Sequence, residues 1–154
     1  MPEPVKGPSL NRLAFRATTH CLFGCAIGEV LGMVLAALFG WSMAATLVLA
    51  TALAFLFGYL MTIVPLLQGG MEMRAALTLA LASDTVSITI MEIVDNVVVV
   101  LIPGAMNAGL TTFLFWGSLA ISLVAAGFAA FPVNRWLISR GRGHALVHQR
   151  HVHG

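Results

Sequence analysis

Residues 42–67 read SMAATLVLATALAFLFGYLMTIVPLL and contain no charged side chain. About 20 mostly apolar residues are enough for a helix to cross a bilayer, so this stretch predicts a transmembrane helix. Of the 154 residues in the chain, 59% are hydrophobic and 9% are charged. A soluble domain carries roughly 25% charged residues. The composition therefore excludes an ordinary water-soluble domain and predicts an all-α integral membrane protein.

Four stretches are long and apolar enough to span, and short connections containing glycine separate them. Short connections make successive helices antiparallel neighbours, so the sequence predicts an up-down bundle of four transmembrane helices. The predicted spans are about 19–40, 42–67, 75–103 and 110–131. They form a transmembrane domain over residues 19–133, with an N-terminal segment over 1–18 and a basic, histidine-rich tail over 134–154.

The basic residues predict the orientation of this bundle. With four spans, all eight Lys and Arg residues fall on one side: Lys6, Arg12, Arg16, Arg74, Arg135, Arg140, Arg142 and Arg150. The positive-inside rule then places both termini in the cytoplasm. Trp41 and Trp136 are expected near opposite interfaces, where aromatic residues anchor membrane helices.

Four of the six acidic residues lie inside the predicted spans: Glu29, Asp84, Glu92 and Asp95. Each costs about 2.5–3.5 kcal/mol if it lies at the centre of a membrane helix. No Lys or Arg lies within a span to pair with them, so protonation, mutual hydrogen bonds or bound cations must compensate. The alternative is that they are protonated structural groups, hydrogen-bonded to residues such as Ser83, Ser87, Thr89 or Asn96.

Helical periodicity places most of these acids on one stripe. On the third helix, Asp84, Met91 and Asp95 fall within about 40° of one another. Asp84 and Glu29 are expected near mid-membrane, with Glu92 and Asp95 in the outer half. The predicted ion pathway consists of Asp95, Glu92, Asp84, Glu29, Ser87 and Met91. In a homo-oligomer, Glu92 and Asp95 would form stacked carboxylate rings.

Small residues recur every four positions on two helices. Gly24, Gly28 and Gly32 form a doubled GxxxG pattern, which lets another backbone approach closely, inside the bundle or between subunits. The fourth helix carries a second such seam: Ser118, Ser122, Ala126 and Ala130. Together the two seams predict a homo-oligomer.

Soft ligands lie below Glu29 on the first helix. Cys21 and Cys25, with His20 beside them, form a candidate site for Cu(I) or Zn(II). The alternative is that the thiols are small apolar fillers. His144 and His148 in the tail are further candidate metal ligands, although a basic tail can also lie on anionic lipid.

Several stretches together resemble one family: His20-Cys21, Gly24-Cys25, Gly28-Glu29, Ser83-Asp84-Thr85, Met91-Glu92, Asp95-Asn96, Pro103-Gly104-Ala105-Met106, Pro132-Val133-Asn134-Arg135-Trp136-Leu137 and Gly143-His144. The family is a small bacterial one, catalogued as a domain of unknown function, and its members are sometimes labelled copper oxidase. The resemblance spans roughly residues 19–148. It implies four transmembrane helices in the bacterial inner membrane and a link to copper, but no mechanism.

The pattern of acids predicts a cation channel or transporter, with a divalent or transition metal ion as its cargo. One alternative is a non-transporting protein that binds copper or assembles a copper site, and another is a proton-coupled transporter. The sequence contains no nucleotide loop, nucleophile elbow or zinc-protease motif, so we expect no enzymatic activity. The expected partners are the bilayer, cations and further copies of the chain, with no nucleic acid and no tightly bound cofactor beyond a metal ion such as copper or another divalent cation.

Overall fold

The computed structural model describes residues 8–140, and this part of the chain is helical, with no strand. Its four long helices are α1 (Leu10–Phe39), α2 (Met43–Gln68), α3 (Met73–Leu101) and α4 (Phe113–Ser139). A short 3-10 helix, Ala105–Asn107, lies in the connection between α3 and α4. The all-α architecture predicted from the sequence is therefore confirmed.

Local sequence signals set the ends of the helices. Ser9, Ser42 and Thr112 each precede a helix, and the side-chain oxygen of each accepts a hydrogen bond from a backbone N–H in the first turn. Such a cap is worth about 1 kcal/mol. At the end of α1, Gly40 adopts the left-handed conformation (φ 63°), and the N–H of Trp41 donates to the carbonyl of Ala36 at 2.9 Å. This C-cap reverses the chain within three residues.

The four helices form an up-down bundle. Sequence neighbours pack against each other, α1 also packs against α4, and α1 contacts α3 across the diagonal. Because α1 and α3 run in the same direction, residues on their inner faces lie at matching levels. The core cluster joins all four helices and includes Cys25, Ala54, Ile88 and Ala126.

Two helices are longer than the predicted spans. α1 begins at Leu10, ahead of residue 19, and α4 continues to Ser139, past residue 131. Polar contacts hold these extensions together: the amide of Asn134 donates to the hydroxyl of Thr18 at 2.9 Å, and Nε of Arg135 donates to Asn11 at 2.7 Å. Hydropathy does not register such contacts, so it marks the apolar part of each helix and not its full length.

The glycine seam of α1 packs inside the bundle. A Cβ on Gly24 would lie 2.8 Å from the Cα of Gly58, and one on Gly28 would collide with the backbone of Leu53. A Cβ on Gly32 would lie 2.5 Å from the Cα of Ala50. The small residues of the α4 seam are also buried within the chain: Ser118, Ser122, Ala126 and Ala130. Both seams are thus occupied by contacts within one chain.

Within residues 8–140, α1, α2 and α4 are long and apolar enough to cross a membrane. α3 is as long, but its acidic residues leave it outside that group. Large apolar side chains cover the outside of the bundle, including Phe23, Leu56, Ile93 and Phe128. The chain therefore has the character of a membrane protein.

Charge is segregated between the two ends of the bundle. The start of α1, the α2–α3 turn and the end of α4 form one end, which carries every described Arg residue: Arg12, Arg16, Arg74, Arg135 and Arg140. We call it the basic end. The other end, formed by residues 40–42 and 102–112, is called the loop end. Trp41 and Trp136 lie at opposite ends, as predicted, and the guanidinium of Arg140 lies 5.5 Å from the Trp136 ring centroid.

Candidate functional site

The acidic stripe of α3 faces the interior of the bundle. The exposed fraction of the side chain is 7% for Asp84, 5% for Glu92 and 6% for Asp95. Ser87 and Met91 are fully buried on the same face. The predicted stripe is therefore confirmed. Both Glu92 and Asp95 are enclosed by the helices of a single chain, an arrangement that differs from the carboxylate rings between subunits that a homo-oligomer would form.

Three carboxyl groups form an acidic cluster, which consists of Glu29, Glu92 and Asp95. Glu29 lies on α1, is 4% exposed, and faces the two acids of α3. No N–H, amide or hydroxyl donor of residues 8–140 hydrogen-bonds to either carboxyl oxygen of Glu29 or Glu92, or to Oδ1 of Asp95. The three carboxyl groups lie close enough to one another for a proton to be shared between them. The nearest polar groups outside the cluster are the Cys25 thiol and the hydroxyls of Thr51 and Ser122.

The fourth buried acid lies closer to the basic end. Oδ1 of Asp84 accepts a hydrogen bond from Ser83 at 2.8 Å, whereas Oδ2 has no donor among residues 8–140. Cys21 and His20 lie nearby on α1. The sequence predicts both Glu29 and Asp84 near mid-membrane, but they lie at different levels of the bundle: Glu29 is beside Glu92, and Asp84 is beside Cys21. The reason is that α1 begins at Leu10 and not at residue 19.

His20 hydrogen-bonds to a backbone carbonyl that a proline leaves free. Pro65 has no N–H, so the carbonyl of Met61, one turn earlier in α2, lacks its helical hydrogen bond. Nε2 of His20 makes a short hydrogen bond to this carbonyl. Because a carbonyl can only accept, Nε2 of His20 donates the hydrogen in this bond.

A cavity connects the acidic cluster to the loop end. This acidic cavity has a volume of about 280 Å³. Glu29, Glu92 and Asp95 lie at its inner end, with Asn96 and Thr51 beside them. Its walls are mainly apolar and come from all four helices and the 102–112 connection: Met33, Leu47, Val99, Met106, Leu110, Phe115 and Leu119. Trp41 lies at the loop end.

A second cavity enters from the basic end. This histidine cavity has a volume of about 190 Å³ and reaches Asp84, His20 and Cys21. Arg16, which is exposed, lies along its outer part. Thr62 of α2 and Asn134 of α4 add polar groups to its wall.

A buried central layer lies between the two cavities. Cys25, Ser87, Met91 and Ser122 fill it, and each is at most 1% exposed. The hydroxyl of Ser122 donates to the carbonyl of Leu119, whereas the hydroxyl oxygen of Ser87 has no partner within the described residues. The bundle thus contains two polar cavities, one from each end, and a packed layer between them.

The region that contains both cavities matches a known protein family. Residues 11–143 match the model of a domain of unknown function, DUF4396. The chain belongs to this family. Searches of the curated proteins and of the solved structures found no match. The match confirms the resemblance noted from the sequence, and it covers all four helices of the DUF4396 bundle.

The soft ligands predicted on α1 are not arranged as a metal site within the described residues. Cys21 and Cys25 are buried free thiols, and Nε2 of His20 is bonded to Met61. Across residues 8–140, no group of three or more His, Cys, Asp or Glu side chains is arranged to hold a metal ion. His144 and His148 lie outside the described residues. Metal binding by this DUF4396 chain stays a prediction.

Sequence reasoning missed the contribution of α2. Thr51 lies beside Glu92, and Thr62 lies beside Asp84. A signal was present, because Ala50, Ala54, Gly58 and Thr62 recur every four residues and mark the buried face of α2. The pairing of His20 with the carbonyl that Pro65 leaves free was also missed.

Proposed function

We propose that this protein is a cation transporter whose pathway runs through the interior of one chain. The observation that carries the proposal is the pair of cavities from opposite ends, each reaching buried carboxyl oxygens that lack a donor. Among the described residues, no Lys, Arg or His lines the acidic cavity. A buried carboxyl group without a base carries a proton or takes a cation as its counter-ion, and unpaired acids inside membrane proteins commonly mark ion pathways.

The packed central layer favours a transporter over an open channel. A cation in the acidic cavity meets the side chains of Cys25 and Met91 before it can reach Asp84. Translocation therefore requires this layer to open, and the two cavities are suited to serve as alternating access points. Ser87 and Cys21 supply polar atoms along the route between Cys25 and Asp84.

The proposal includes α3 as a fourth membrane span, with the basic end in the cytoplasm of a bacterial cell. The positive-inside rule supports this orientation of the inner-membrane protein, and burial of the α3 acids inside the bundle supports its insertion. The pathway needs one chain only. In the predicted homo-oligomer, each subunit would therefore contain its own pathway. The mass of the purified protein in detergent tests whether the oligomer forms.

Flux into proteoliposomes tests the proposed function. Wild-type protein should carry at least one of three cations, Zn²⁺, Mn²⁺ or H⁺, each followed with an entrapped fluorescent indicator. Glu92→Gln and Asp84→Asn should each reduce that flux at least about tenfold, because each removes a charge from a buried site. Glu72→Gln, an exposed acid outside both cavities, is the matched control and should retain it.

Unchanged flux in both buried-acid variants would refute the proposal. Copper retained in stoichiometric amounts, lost in a Cys21→Ser/Cys25→Ser variant and accompanied by no flux, would instead support the copper-binding alternative. Flux of H⁺ with neither metal ion carried would keep the transporter proposal and identify the proton as its cation, as in the proton-coupled alternative.

A further inference from the structure

We propose that the acidic cavity binds organic ammonium ions that carry an apolar group. This inference rests on the proposed function, because it names the class of cation that the cavity would accept. The cavity combines a cluster of carboxyl groups at the inner end with a mainly apolar wall along the rest.

The carboxyl groups at the inner end are aimed into the cavity without a partner. Glu29 and Glu92 are at least 95% buried, both line the cavity, and all four of their carboxyl oxygens lack a donor. A buried acid in this state is complementary to a positive charge. Asp95 adds a third carboxyl group beside them.

The wall itself supplies no ligand for a hard metal ion, because its side chains are mainly hydrocarbon and thioether, so such an ion would have to be held by the acidic cluster alone. Met33, Val99 and Leu119 instead offer apolar surface that alkyl or aryl groups of a ligand would bury. Small-molecule sites generally have this composition, with apolar walls and a few polar groups that fix the orientation of the ligand.

An aromatic side chain stands at the entrance. Trp41 is half-exposed, lines the cavity at the loop end and contacts Phe39. The face of an indole ring carries negative charge density and attracts cations such as ammonium ions. Trp41 is therefore positioned to meet a cation before the acidic cluster does.

Calorimetric titration of the purified full-length protein with benzyltrimethylammonium tests the inference. This ion keeps its charge at every pH, and its ring can lie along the apolar wall. Wild-type protein should bind it saturably, and at least about tenfold more tightly than tetramethylammonium, which lacks the ring, or benzyl alcohol, which lacks the charge, because both the apolar area and the charge contribute to binding. These comparisons use one protein and do not depend on the folding of a variant.

Variants locate the site. Glu29→Gln/Glu92→Gln should weaken binding of benzyltrimethylammonium at least about tenfold, because the variant removes both buried charges. Trp41→Ala should weaken it several-fold. The matched controls are Glu72→Gln, an exposed acid outside both cavities, and Trp136→Ala, a half-exposed tryptophan at the other end; both should bind like wild type.

The outcomes separate this inference from the proposed function. Absence of saturable binding, equal affinity for the charged and neutral ligands, or undiminished binding by the Glu29→Gln/Glu92→Gln variant would each overturn the inference. If any of these occurs while Zn²⁺, Mn²⁺ or H⁺ flux persists, the transporter proposal stands and only the ligand class is wrong. Binding without flux of any tested cation, including benzyltrimethylammonium, would support the site and overturn transport.

Discussion

Gly28 occupies the tightest contact along the glycine seam of α1. A Cβ at this position would collide with the backbone of Leu53 and Ala54 in α2. Backbone atoms cannot rotate away as a side chain can, so Gly28→Ala must push the two helices apart. Overpacking of this kind typically costs about 1–3 kcal/mol. We expect the variant to lose that much unfolding free energy, measured by reversible unfolding in mixed detergent micelles.

Gly117 offers the matched control for that measurement. It also lies inside a helix, but a Cβ there would meet nothing within 4 Å. Since alanine in a helix interior is more favourable than glycine by roughly 0.5–1 kcal/mol, Gly117→Ala should be neutral or stabilising. Equal losses in the two variants would contradict the assignment of Gly28 to the α1–α2 contact.

At the scale of single helices, Pro65 and His20 act as a pair that links α2 to α1. His20→Ala leaves the Met61 carbonyl unsatisfied, which should cost about 1–3 kcal/mol of unfolding free energy. In a Pro65→Ala background the restored N–H can bond to that carbonyl, so His20→Ala should cost about 1 kcal/mol less. A double-mutant cycle, read out by unfolding in detergent, measures this coupling.

The second helix proline provides the control. Pro132 lies in α4 and leaves the carbonyl of Phe128 without its helical hydrogen bond, whereas His20 is bonded to Met61 of α2. In a Pro132→Ala background, His20→Ala should therefore cost as much as it does in the wild type. A cycle in which Pro65 shows no coupling to His20 would contradict the hydrogen bond between α1 and α2.

The helices themselves could be predicted because their signals are local. Runs of apolar residues mark α1, α2 and α4, and the 3.6-residue period places Asp84 and Asp95 on one face of α3. The level of Glu29 could not be obtained in this way, because it depends on where α1 begins. That beginning is fixed by the Ser9 cap and by contacts between α1 and the end of α4, which hydropathy does not record.

At the scale of the whole molecule, the carboxylate pathway could be predicted only as a set of residues. The sequence identifies the acids and the absence of bases within the spans. It does not decide whether the acids meet inside one chain or around an axis between chains, because glycine seams serve either purpose. The three-dimensional packing decides between these arrangements. The glycine seam of α1 packs against α2 of the same chain. In this packing, Glu29 of α1 faces the acids of α3.

The crossing of α3 decides whether the two cavities open on opposite sides of the membrane. If α3 spans, Asn107 in the α3–α4 connection and Glu72 in the α2–α3 turn face opposite sides; if it does not, they share one side. Both residues are exposed, whereas the native thiols Cys21 and Cys25 are buried. A cysteine introduced at either position can therefore be labelled with little reaction at the native thiols. The wild-type chain is the control that measures this background labelling.

A membrane-impermeant maleimide applied to bacterial cells whose outer membrane has been permeabilised should label Asn107→Cys. Glu72→Cys should react only after the inner membrane is disrupted as well, because the positive-inside rule predicts that the basic end lies in the cytoplasm. Labelling of both variants only after disruption would mean that α3 stays on the cytoplasmic side, and the two cavities could not then form a route across the membrane. Labelling of Glu72→Cys alone in intact inner membranes would invert the orientation and make the histidine cavity the external entrance.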